Sequence, residues 1–515
     1  MLASKEIKYG QIFISCVTVL SILSSIVFIG YKFDWFNKIA IIFAILALPI
    51  LFKNILLKTN ETFSDNINTI GVMLSFIAML SFVFNGFIYP VQNIYSVVAL
   101  AINFLVIYYY AAKNDIKNTR NIFLLIFICC LIVSILSLFT LYFKVSIRYG
   151  DGITGYYRYL GIDVSDGRFC GLVGNSNDLG RITLCGIIST VFLYKKSLNN
   201  ITKILLIISN FIFIYTMILS QSRAIIYSFS FGIIVFIFLK IFFKNKGNIK
   251  YKGYIKQILI FVCYSFVFLL TFKLINNYSI NSIIYHQNNE EVVQENNVSQ
   301  EESIQQEESK KHIELVDRKF YDQQINDFSS GRFAIWRIGI QGTLEKKPIL
   351  GFSHGNIRNG ILEYIDKNSI SWPEYNRHIF QHMHNQFIQF LAEDGIFALF
   401  FIVYLYFYIF KLVIKIIFSK RDINEINRIK IPILISVLSC LALFSMVEAM
   451  FFICFDNEII NVVLLLVMGI FIKTVKDEYG EEILKDKLLD KISLCLIKLI
   501  NFIKKPFTKY LVKEG

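Results

Sequence analysis

Residues 121–143 read NIFLLIFICCLIVSILSLFTLYF, twenty-three positions without a charge. At about 1.5 Å per helical residue such a run covers the ~30 Å hydrocarbon core of a bilayer, whereas an apolar core segment of a soluble domain is shorter. Lys117 and Arg120 precede it. Outward from this stretch the pattern repeats. Residues 11–31, 39–52, 70–89, 94–112, 179–194, 201–219, 224–243, 257–275, 387–410, 431–450 and 458–473 are further apolar runs, so hydropathy gives about twelve spans in all. The whole chain is 55% hydrophobic and only 17% charged, outside the range of soluble domains. The fold expected is an all-α polytopic membrane protein. The first run is span-length and lacks a small-residue cleavage site, so no cleavable signal peptide is expected.

Charge placement orients the spans. The joins after the second, fourth, sixth, eighth and tenth runs carry Lys53 and Lys58; Lys113, Lys117 and Arg120; Lys195, Lys196 and Lys203; Lys244, Lys246, Lys250, Lys252 and Lys256; and Lys415, Lys420, Arg421, Arg428 and Lys430. The short joins 89–93 and 451–457 carry neither lysine nor arginine. The positive-inside rule then sets both termini in the cytoplasm and exports the two long connections, 144–178 and 276–386. Much of the net charge of +14 is thereby topological, and no basic soluble module for nucleic acid is indicated.

The expected organisation is N-terminal helices over 1–143, a first exported loop over 144–178 and central helices over 179–275. A large exported catalytic loop over 276–386, C-terminal helices over 387–473 and a basic amphipathic cytoplasmic tail over 474–515 complete it. The tail, around LLDKISLCLIKLINFIKKP, suits the inner membrane surface, and an ordinary positive-inside flank explains it equally well. Residues 287–311, rich in Gln, Asn, Glu and Ser, cannot bury a core and read as a flexible insertion. The nine cysteines contain no C-x-x-C pair, and neither a disulfide framework nor a zinc site follows.

Polar residues in unusual places mark the candidate site. GRFCGLVGNSNDLGR (167–181) sets Arg168, Asn175 and Asn177 in a turn-rich approach to the membrane. Arg223, in SQSRA (220–224), occupies a very short outer join; an arginine there faces a cavity or snorkels, and the two readings weigh evenly. SSGRFAIWRIGIQGTLEKKPILGFSHGN (329–356) reads as a helix of about three turns with Arg332, Trp336 and Ile340 on one face, followed by a Pro/Gly turn. HMHNQFIQFLAEDG (382–395) opens a helix whose Asn385, Gln389 and Glu393 form a polar stripe, with His384 at its entrance. His354, His378 and His382 read as solvated loop residues. His382 and His384 make a metal pair without an apparent third ligand. Asp394 shares the helix entrance with Glu393, and Glu448 is an acid at membrane depth near the end of the eleventh span.

Taken in order, these four stretches resemble the O-antigen ligase and polymerase superfamily, polytopic glycosyltransferases of bacterial surface polysaccharide assembly. The resemblance covers roughly residues 165–400 in pattern; the glutamine- and glutamate-rich insertion departs from it. It implies a donor glycan joined through pyrophosphate to undecaprenol, a glycan acceptor, a bilayer, a chain-length regulator and a flippase as possible associates, and no cofactor, metal or nucleotide. It also implies a multi-pass protein of the bacterial cytoplasmic membrane with its active site facing outside.

Such a donor needs fixed positive charge at its departing phosphates, which the planar fork of arginine supplies bidentately; Arg168, Arg223 and Arg332 are the candidates. The acceptor hydroxyl needs a base, and an imidazole, titrating near ~6.5 in water, suits that task. His384 is that base, with Asn385 orienting it or the acceptor, and Asn175, Asn177, Gln389 and Glu393 lining the substrate site; Glu393 or Asp394 is the alternative base. Three functions compete: polymerisation of repeat units, ligation of finished glycan to a lipid core, protein or wall acceptor, and transport of a lipid-linked oligosaccharide. A transporter concentrates polar residues near the midplane on broken helices, whereas here they gather at outer ends and loops.

Overall fold

The computed structural model describes residues 2–27, 29, 35–114, 116–149, 158–163, 168–195, 197–244, 332–370, 372, 380, 382–419, 421, 424–448 and 459–511. Within them, α1 (Leu2–Ser25), α2 (Trp35–Phe52), α3 (Asn66–Phe84), α4 (Pro90–Lys113) and α5 (Ile116–Tyr142) lead into three strands. The strands β1 (Ser146–Tyr149), β2 (Arg158–Asp163) and β3 (Arg168–Gly174) are followed by α6 (Ser176–Leu193), α7 (Asn200–Leu219) and α8 (Arg223–Lys244). Beyond them lie α9 (Arg332–Lys346), α10 (Ile357–Lys367), α11 (Gln386–Phe418), α12 (Glu425–Ser445), α13 (Ile459–Tyr479) and α14 (Lys487–Leu511).

Nine of these helices are long and apolar enough to cross a membrane. Of the twelve expected spans, 257–275 lies outside the described residues. The runs at 39–52 and 179–194 do form helices, α2 and α6, but neither is among the nine. In α6 the reason is polar content: Asp178, Arg181, Thr183, Ser189 and Thr190 interrupt the apolar surface. The loop insertion 287–311 and His378 also lie outside the described residues.

Side-chain caps start many of the helices. Asp65 accepts from the Ile67 and Asn68 N–H groups at the head of α3, and Asn175, Asn199, Asn385 and Asn424 do the same for α6, α7, α11 and α12. Each satisfies N–H groups that the helix itself leaves unpaired. In lipid, helices gain little from apolar burial alone, so close backbone approach and hydrogen bonds hold them together. A Cβ at Gly469 of α13 would lie 2.6 Å from Ala111 of α4, which is how closely those two helices meet. Helix α13 is the innermost of the nine, with nearly every residue from Ile459 to Val475 buried. Helix α4 widens to π geometry at Asn103–Tyr108, and Asn54 donates to the Leu105 carbonyl there at 2.7 Å.

The segment 144–178 departs from the all-α expectation. It holds an antiparallel sheet of order β1-β2-β3, with Ile147 opposite Leu160 and Tyr159 opposite Gly174. Almost all of β3 is buried, so the alternation that announces a strand in sequence is missing. The sheet packs on α5 and α6, and the Leu172 N–H donates to Ser137 Oγ of α5.

Two features set up the site. Helices α9 and α10 build a small core of their own with Phe352, Phe380 and Met383 against Ile335, Ile361 and Ile365. Helix α11 is broken at Gly395, which adopts φ 77° and ψ −166°. The Pro348 carbonyl enters the break and accepts the Ile396 N–H at 2.9 Å, and a Cβ at Gly395 would lie 2.1 Å from the Ile349 oxygen. The residues 347–354 are thus locked against the first turns of α11.

Candidate functional site

Glu448 is the centre of the site. It follows α12 by three residues, donates its N–H to the Phe444 carbonyl at 2.9 Å, and is 1% exposed. Arg332, the first residue of α9, reaches its Oε1 at 2.6 Å and also donates to the Val447 carbonyl at 2.7 Å. Arg181, in the second turn of α6, donates to Oε2 at 3.1 Å and to Asp178 at 3.0 Å. His384 Nδ1 lies 3.2 Å from the same Oε2. Burial alone would raise the Glu448 carboxyl; His384 and the two guanidiniums overcome it and hold the group well below the usual carboxylate range.

An ionised Glu448 accepts the Nδ1 proton of His384, which leaves the lone pair of the neutral ring on Nε2. His384 stands at φ +48°, a left-handed backbone uncommon for a residue with a Cβ. Its N–H donates to His382 Nδ1 at 3.1 Å, and the two rings lie 4.5 Å apart edge to face. Burial pushes His382 down to about 3, with the His384 ring adding to the effect. Asn385 caps α11 with its oxygen and donates through Nδ2 to the Met446 carbonyl at 2.6 Å. The start of α11 is thereby tied to the turn that carries Glu448.

One guanidinium atom is left over: Arg181 Nε is buried without a hydrogen-bond partner among the described residues. A buried N–H in that state is costly unless a ligand completes it. Two arginine forks and the histidines converge on one half-exposed surface, with side-chain exposures of 20% for Arg332 and 31% for His384. The sequence reading did not single out Arg181, although an arginine inside the expected 179–194 span was itself the signal. It did note Glu448.

The remaining sequence candidates divide. Arg168, the first residue of β3, donates to Ser176 Oγ at 3.2 Å, and Asn175 uses its Oδ1 to cap α6. Asn177 Oδ1 accepts from Ser222 Oγ at 2.9 Å, which brings the head of α6 beside Arg223, the exposed first residue of α8. Gln389 and Glu393 are buried on the far side of the His382–His384 turn. His354 is not a solvated loop residue: its Nδ1 lies 2.6 Å from Glu393 Oε1 and its side chain is 12% exposed.

His382, His384 and Glu448 also bring one ligand atom each within 4.8 Å of one another, the third ligand that the sequence did not reveal. A divalent ion there would compete with Arg181 and Arg332 for both Glu448 oxygens and would need the His382 lone pair that already accepts the His384 N–H. The donor set suits an anion better than a cation. Inward of the cluster, a cavity of about 410 Å³ lies between α6, α7, α8 and α12, lined by Leu184, Ile188, Phe229, Ile233, Val437 and Cys440. It begins one turn below Arg181 and is almost wholly apolar.

Residues 208–403 match the O-antigen ligase family model. That range contains Arg223, Arg332, His384, Gln389 and Glu393, while Arg168, Arg181 and Glu448 lie outside it. No curated protein matches the chain.

Proposed function

We propose, for a chain whose residues 208–403 match the O-antigen ligase family model, an integral-membrane glycosyltransferase of the outer face of the bacterial cytoplasmic membrane. It moves a glycan from undecaprenyl pyrophosphate to a sugar hydroxyl and so joins repeat units of a surface polysaccharide. The observation that carries this reading is the convergence of Arg332, Arg181 and His384 on Glu448.

The chemistry follows from the contacts. A departing pyrophosphate gathers negative charge, and guanidinium forks already oriented by Glu448 meet it without reorganising. The unpaired Arg181 Nε–H and the spare N–H groups of Arg332 are the donors on offer, with Arg168 and Arg223 on the neighbouring β3 and α8. His384 Nε2 takes the acceptor proton as the new bond forms at the anomeric carbon, and Glu448 holds the ring in that tautomer and stabilises the imidazolium that results. Direct displacement inverts the anomeric configuration. The apolar cavity inward of the arginines supports a lipid-linked donor.

The test uses purified protein and an undecaprenyl-pyrophosphate-linked oligosaccharide. Free undecaprenyl pyrophosphate and glycans one or more repeats longer are expected from the donor alone. Release of undecaprenyl pyrophosphate only when a lipid core is added, with the unlengthened glycan now on that core, would favour ligation, the activity for which the matched family is described; no turnover with any acceptor defeats the reading. Orientation has its own test. A cysteine at Ser299 should label from outside in intact cells, and labelling only after lysis would remove the site from the donor's side of the membrane.

A further inference from the structure

Behind the His382–His384 turn lies a second buried polar network that the transfer chemistry leaves unused. Glu393 Oε1, which pairs with His354 Nδ1 at 2.6 Å, also accepts from Gln389 Nε2 at 3.1 Å. Gln389 is wholly buried, and its Oε1 accepts the Met383 N–H at 2.7 Å. The Met383 carbonyl accepts the Trp336 indole N–H at 2.8 Å. Met383 is therefore held on both sides, and it is the residue between the two histidines.

The chain has a direction. An amide donates only from nitrogen and accepts only at oxygen, so Gln389 turns its oxygen to Met383 because Glu393 offers an acceptor to its nitrogen. Glu393 in turn is fixed at its backbone: its carbonyl accepts from Ser81 Oγ at 2.9 Å and from the Ser353 N–H at 2.8 Å. Gly351 allows this approach, since a Cβ there would meet the Glu393 carbonyl at 2.4 Å. At the other end stands His384 at φ +48°. A side-chain-bearing residue stays in that region only where its surroundings over-determine it.

We infer that His354, Glu393 and Gln389 form a clamp that positions the His384 imidazole, acting through the Met383 peptide and touching no substrate. The inference rests on the reading of His384 as the base. Its consequence is specific: with the clamp cut, Met383 loses its tie, His384 relaxes from the left-handed region, and Nδ1 leaves Glu448. The arginines keep their own contacts with Glu448, Val447 and Asp178, so donor binding survives while turnover falls.

The test follows the turn directly. The chain has three tryptophans; replacing Trp35 and Trp372 by phenylalanine in the full-length protein leaves Trp336, whose indole holds Met383, as the reporter. Gln389→Leu and His354→Ala should shift Trp336 emission to the red and raise its quenching by acrylamide, without donor present. Both should lower turnover of the undecaprenyl-linked oligosaccharide by roughly 10- to 100-fold, the size expected when a reacting group is misplaced by about an ångström, with the donor KM unchanged. Glu393→Gln, which keeps an acceptor oxygen in place, should recover much of the turnover that Glu393→Leu loses. Parental emission and turnover in Gln389→Leu and His354→Ala would overturn the clamp, and so would a changed emission with parental turnover. If instead His384→Ala itself transfers glycan at the parental rate, the base assignment is at fault, and the emission arm still reports whether the clamp holds the turn.

Discussion

Two buried carboxylates, Glu448 and Asp486, sit between helices and are joined to basic residues, yet only one of them belongs to an open site. Asp486 is 2% exposed and accepts from Tyr404 at 2.8 Å, from Lys411 at 2.6 Å and from the Leu488 and Leu489 N–H groups at the head of α14. One lysine, one phenol and two backbone donors fill its oxygens; the phenol and the backbone N–H groups have no further hydrogen to give, and only the Lys411 ammonium keeps donors outside the joint. Glu448 is as deeply buried, but its partners are two guanidiniums and an imidazole from three separate elements, each with donors or a lone pair to spare. A carboxylate that closes a joint is structural. One that holds several cations at partial occupancy of their donors leaves a receptor for another anion.

The largest effects should separate the two regions outright. His384→Ala should lower the transfer rate by the roughly 10²–10⁴-fold typical of a lost general base. Arg332→Ala should lower it by about 10²–10³-fold, with lysine a poor substitute because it lacks the fork. Both are read on purified protein at equal folded amounts. A parental rate in His384→Ala would hand the base role to Glu393 or Asp394.

A matched pair of isosteric changes comes next. Glu448→Gln removes the negative charge and one of the two acceptor oxygens that Arg181, Arg332 and His384 share, and is expected to reduce turnover on the order of 10²-fold. Asp486→Asn should leave transfer within about twofold and cost the fold about 1–3 kcal/mol, seen as a lower melting temperature in detergent. If Asp486→Asn stops transfer while Glu448→Gln does not, the contrast between the two carboxylates is inverted and the site lies at the wrong end of the bundle.

The smallest effect concerns acid. His382 titrates near about 3 in the native state, below the ~6.5 of an imidazole in an unfolded chain. Between those values the unfolded chain binds a proton that the native state refuses. The contribution of His382 to stability is therefore intact above ~6.5 and is lost as pH falls toward about 3. Melting curves across that window should flatten in His382→Gln. An unchanged slope would mean that His382 is as hydrated as a loop histidine.

How much of this was legible beforehand differs by element. Apolar runs announced all nine of the long described helices, and the eleventh-span acid Glu448 was visible as a charge at membrane depth. Strand β3 was hidden because burial of nearly every residue erased its alternation. Arg181 was hidden inside an expected span whose polar residues were read past. His354, a loop histidine by sequence, became a buried partner of Glu393 only because the Gly395 break lets residues 347–354 enter beside α11.

The sequence by itself determined that this chain crosses a membrane many times and which residue types could serve an anionic, lipid-linked substrate. A bilayer imposes its length and polarity on each segment separately, so that information is local. Only the tertiary structure decided that Glu448 gathers them. Its partners stand 267, 116 and 64 residues away along the chain, at Arg181, Arg332 and His384. A buried carboxylate chooses partners by proximity and charge after the helices have packed, and no spacing within a single segment encodes that choice.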